Sequence, residues 1–125
     1  MERDQSIEGK MYYGWLNNLA MYAQQLEHLE QLLNRSAYKG LQVDASIELD
    51  ALKELINAQR AEVLELTEEV IKRHAALPPV NELNQSVIPF SQLIRNNHLR
   101  EHIRKVERSV FYLKYHVNKL LSIAS

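Results

Sequence analysis

Leu99, Ile103, Val106, Val110, Leu113, Val117, Leu120 and Ala124 recur at alternating steps of four and three, and no other feature constrains the fold as strongly. Residues so spaced lie along one stripe of an α-helix, the seam of a coiled coil. A lone helix would leave that stripe in water, so the pattern requires partner helices. Two earlier segments can supply them. Tyr12, Trp15, Leu19, Tyr22, Leu26, Leu29 and Leu33 form a second stripe. Leu49, Leu52, Ile56, Gln59, Val63, Leu66 and Val70 form a third, in which Gln59 is the one polar residue and reads as an alignment device that sets register at some cost in stability.

The residues between the stripes mark where helices start and stop. Asp4 or Ser6 can cap the first helix, and Gly9 and Gly14 weaken its opening turns by about 1 kcal/mol each relative to alanine. Arg35, Lys39 and Gly40 suit its carbonyl end. Leu41 to Val43 is a connection short enough to make the next helix an antiparallel neighbour. Asp44 or Ser46 can cap that helix, Lys72, Arg73 and His74 close it, and Pro78 with Pro79 forbids its continuation.

The stretch 78–97 is harder to assign. Val80, Leu83, Val87, Ile88, Phe90, Leu93 and Ile94 make it too apolar for a free linker. Either Pro89 opens a long last helix, or Asn97 caps a shorter one and the preceding residues cross the bundle as a strap. Carrying the last stripe backwards lands on Asn96, Gln92 and Pro89, which are not core types and predict a kink, stutter or break near 95–97. The expected fold is all-α: one domain, 1–125, with three long helices running up, down and up at about 6–39, about 45–77 and about 98–124, the last starting near 89 on the alternative reading. A short helical or strap segment precedes the last helix and could complete a four-helix-like or dimeric bundle.

Composition agrees with this. A chain of 125 residues is long enough for a core of its own. Hydrophobic residues at 46% and charged residues at 25% argue against disorder. Three glycines and three prolines are too few turn residues for a β-rich fold. The absence of cysteine removes disulfides, thiolate zinc sites and cysteine nucleophiles, and is compatible with a reducing cytoplasm. The opening MERDQSIEGK lacks the apolar region of a signal peptide, and no run approaches the roughly 18 apolar residues of a membrane span. A cytoplasmic protein without membrane attachment is expected.

Candidate chemistry is sparse. His98, Leu99, Arg100, Glu101 and His102 place two imidazoles at i and i+4 with a carboxylate between them. This H-x-x-E-H pentapeptide resembles the zinc site of the inverzincin metalloproteases, which implies His98 and His102 as ligands and Glu101 as base. Those enzymes also need an acidic ligand well downstream and a mixed α/β domain, whereas no Asp or Glu follows Glu107 here. A noncatalytic metal-holding bundle using His98 and His102 with a carboxylate of the second helix is the other reading, beside surface histidines in a basic stretch. The serines occur in no G-x-S-x-G or S-x-x-K context, and the three glycines form no phosphate loop. No enzyme activity and no cofactor are expected.

Charge is unevenly spread although the net charge is −1. From Asp44 to Arg73 acids predominate, and from Arg95 to Lys119 bases do, so the second and third helices are expected to face each other with opposite sign. The basic arm, with Phe111, Tyr112 and Tyr115 nearby, also offers a mechanism for nucleic-acid binding, which screening by the acidic second helix argues against. In the helical register those three aromatics point away from the core. Such a cluster needs cover, from the 87–94 strap, from Tyr13, or from a partner or second copy of the chain. The functional expectation is therefore a noncatalytic protein–protein interaction or oligomerisation module, a homo-oligomer by preference, with Phe111, Tyr112 and Tyr115 at its interface.

Overall fold

The computed structural model describes residues 7–36, 43–77 and 90–124. They form three helices, α1 (Ile7–Ser36), α2 (Val43–Ala75) and α3 (Phe90–Ala124), each packed on the other two. Side-chain contacts fix their directions. Between α1 and α3, partners rise together along the chain: Tyr12 meets Asn96, and Tyr22 meets Glu107. Between α2 and the others they run oppositely, since Arg60 meets Glu30 while Arg73 reaches Asn96 and Glu62 reaches His102. The bundle is thus up, down, up.

All three apolar stripes turn inward and form one core, from Tyr12 to Leu33 on α1, Leu49 to Val70 on α2 and Leu99 to Leu120 on α3. Burial of each leucine, isoleucine or valine favours folding by about 1.5 to 3 kcal/mol, so the stripes rather than helix propensity hold the bundle. After α2 the chain tightens. The amide of Leu77 donates to the His74 carbonyl at 3.2 Å, and the Leu77 side chain is buried with the core.

The predicted break in the last helix does not occur. Asn97 lies inside α3 rather than capping it, and Phe90, Leu93 and Ile94 stand on its opening turns rather than in a strap. Pro89, Val80, Leu83, Val87 and Ile88 lie outside the described residues, as do Asp4, Ser6, Lys39, Gly40, Leu41, Pro78 and Pro79. The stripe keeps its phase through polar residues: Asn96 is only 4% exposed and Gln92 is half-buried. An amide is tolerated there because its polar atoms are bonded. Asn96 Oδ1 accepts from the Tyr12 hydroxyl at 2.9 Å and from Arg73 Nη1 at 3.1 Å, and Asn96 Nδ2 donates to Glu8 at 3.3 Å. Gln92 donates to the same Glu8 oxygen at 2.8 Å, and Arg73 also pairs with Glu69 at 2.8 Å.

Asn96 therefore does across three helices what Gln59 was expected to do. Gln59 donates only to Glu62 of its own helix, at 3.2 Å, and its Oε1 is buried with no partner among the described residues. Ser46 lies within the opening turns of α2 rather than capping it, because that helix starts at Val43.

Gly14 is exposed on α1, and a Cβ added there would meet nothing within 4 Å. Gly14→Ala should therefore raise stability by about 1 kcal/mol through helix propensity alone. Urea unfolding followed by circular dichroism measures this, and an unchanged or lowered midpoint would contradict it.

Candidate functional site

The outer side of α3, opposite its core stripe, carries the residues that packing leaves over. Phe111, Tyr112 and Tyr115 are exposed by 72%, 58% and 62%. The helix forces this. Val110, Leu113 and Val117 take the inward positions, so residues 111, 112 and 115 fall on the outward arc of the same turns. Tyr112 and Tyr115 both lean on His116, with ring centroids 4.2 and 5.2 Å away. Among the described residues, neither Tyr13 nor Leu93 and Ile94 covers them. Tyr13 sits edge-on to His74, 5.0 Å between centroids, and Leu93 and Ile94 are themselves exposed at the start of the same helix. Beside the patch, a groove of about 530 Å³ runs between α2 and α3, bordered by Leu55, Ala58, Gln59, Lys105, Ser109 and Tyr112.

The histidine motif resolves into separate contacts. His102 Nε2 meets Glu62 Oε1, a carboxylate of the second helix, directly. Glu101 is turned to Arg104 at 3.0 Å, and His98 is exposed one turn earlier. Among the described residues no group of three or more His, Asp or Glu side chains is placed to hold a metal ion.

The opposite charges of α2 and α3 do not cancel along their whole length. Among the described residues the one acid–base contact between them is His102 with Glu62. The reason is partly angular: Arg100 turns toward α1 and Arg104 outward, while Lys105 borders the groove facing α2 without an ion pair among the described residues. Arg100 spreads over the Trp15 ring at 5.9 Å and reaches Met11, and Arg104 stays on its own helix. Lys105, Arg108, Lys114 and Lys119 form no ion pair among the described residues. No helix among the described residues is long and apolar enough to cross a membrane.

Two tyrosines tie α1 to α3. The Tyr12 hydroxyl is pushed above its ordinary pKa chiefly by burial, and the nearby Glu8 carboxylate adds to this. Burial and the hydrogen bond to Glu107 push Tyr22 up to about 12. Neither is placed as a catalytic acid, because both already donate inside the bundle. Asn96, Gln92, Glu8 and Arg73 are the polar group that stripe reading passes over. The signal available was that Asn96 and Gln92 fall on the stripe in phase.

No family model, no curated protein and no solved structure matches this chain.

Tyr22→Phe removes the 2.8 Å bond to Glu107 and should cost about 1 kcal/mol near pH 7. A tyrosine whose folded pKa is raised contributes stability that is whole below the unfolded value of 10.0 and is lost as pH rises through about 12. The gap between wild type and variant should thus narrow above pH 10.0. Urea unfolding of both proteins between pH 7 and 11 measures it, and a gap that is constant or widens would contradict this account.

Proposed function

We propose that this chain is a noncatalytic helical-bundle module of the cytoplasm that binds protein, through the outer face of α3, and that it self-associates. The supporting observation is that Phe111, Tyr112 and Tyr115 stand exposed beside a core that closes without them. Three aromatic rings within five residues are a surface that water solvates poorly, and tyrosine offers large contact area at little entropic cost. Glu101 and Glu107 interrupt the basic residues of α3, and this mixture of apolar and both-sign groups suits protein better than a uniformly anionic phosphate chain.

Light scattering over a range of concentrations tests the reading. The wild-type chain should reach dimer mass or more, and Phe111→Ala with Tyr115→Ala should shift the equilibrium at least about tenfold toward monomer, as loss of interface aromatics does. A monomer at all concentrations, indifferent to both changes, would remove the proposal.

A further inference from the structure

The aromatic patch is half of a longer stripe. At the other end of α3, Phe90, Leu93 and Ile94 are exposed on the same outward arc, Phe90 by 75%. Between the two apolar ends lie Asn97, Glu101, Arg104 and Arg108, all exposed. At 100° per residue these ten positions fall within about 60° of one line along the helix. Any straight helix face can be laid on itself in reverse; what distinguishes this one is that its chemistry then matches at every level.

We infer that α3 pairs with α3 of a second copy, antiparallel, about a two-fold axis at the midpoint between His102 and Ile103. The inference rests on reading the outer face of α3 as a protein-binding surface. In this pairing Phe90 lies level with Tyr115 of the second copy, and Leu93 and Ile94 with its Phe111 and Tyr112. Near the axis Glu101 of each copy faces Arg104 of the other, and Asn97 faces Arg108. Both apolar ends are covered, Glu101 and Arg104 at the centre meet opposite charges, and Arg108 meets the amide of Asn97. A parallel pairing in register would instead set Glu101 on Glu101 and Arg104 on Arg104. The intrachain Glu101–Arg104 pair, at 3.0 Å, already holds both side chains on this face, so docking joins two such pairs into one network. Each symmetry-related contact occurs twice, as an isologous interface requires.

Exchanging charges across the axis tests this on the full chain by sedimentation velocity. Glu101→Arg alone and Arg104→Glu alone each put like charges across the axis and should weaken association about tenfold or more. An equimolar mixture of the two variants restores opposite charges between chains but not within either chain, and should recover most of the wild-type affinity. The sites are exposed, so circular dichroism of each variant should match wild type.

Since the chain has no cysteine, a nitroxide on Lys119→Cys, beyond the paired region, gives the direction. Antiparallel pairing puts the two labels about 50 Å apart at 1.5 Å per residue, and parallel pairing brings them within about 20 Å. Mixed-variant rescue with the long separation supports the inference. A wild-type dimer that ignores both single variants, is not rescued by mixing, or shows the short separation overturns this pairing and leaves self-association standing. A chain that stays monomeric overturns both.

Discussion

Burying the amide of Asn96 obliges three helices to agree on one register. An apolar stripe by itself is forgiving, since a helix can slide one turn and still bury leucine against leucine. Asn96 cannot slide. Its oxygen takes hydrogen bonds from Tyr12 on α1 and Arg73 on α2, and its nitrogen gives one to Glu8. A displacement of one helix would leave several of these groups buried without partners, at about 1 to 3 kcal/mol each, a large fraction of the stability of a small domain. Tyr22 with Glu107 and Arg60 with Glu30 repeat the same register further along the bundle, closer to solvent.

The apolar seams were legible in the sequence because helical periodicity and burial are one constraint seen twice. Leu19, Ile56 and Val106 are inward in the structure for the reason they recur at threes and fours in the chain. Asn96 and Gln92 were legible only as an interruption. A residue type indicates that a polar group prefers water, but not that three neighbours are placed to satisfy it. Gln59 misleads in the opposite sense. It lies on the stripe, yet its partner is on its own helix, and spacing carries no information about partners. The contact of His102 with Glu62 is similar: a carboxylate from the second helix could be anticipated as a class, while which one depends on the register that Asn96 sets.

The outward position of Phe111, Tyr112 and Tyr115 could be read from the same periodicity, while their lack of cover among the described residues could not. In a core of leucine, isoleucine and valine, the ionisable side chains that converge among the described residues, Glu8, Tyr12 and Arg73, are already bonded around Asn96. The outer face of α3 combines exposed aromatic area with paired charges. Recognition of another protein surface is the work such a face can do.

The central claim is that the core is complete without the aromatics of α3, so that they are held in reserve for contact. Unfolding of a Phe111→Ala, Tyr112→Ala, Tyr115→Ala variant beside wild type, both dilute enough to be monomeric, tests it most directly. The account predicts equal stability to within about 0.5 kcal/mol, or a small gain from alanine's helix propensity. A loss of several kcal/mol, the scale of about 3 to 5 kcal/mol for truncating a single buried aromatic, would contradict it.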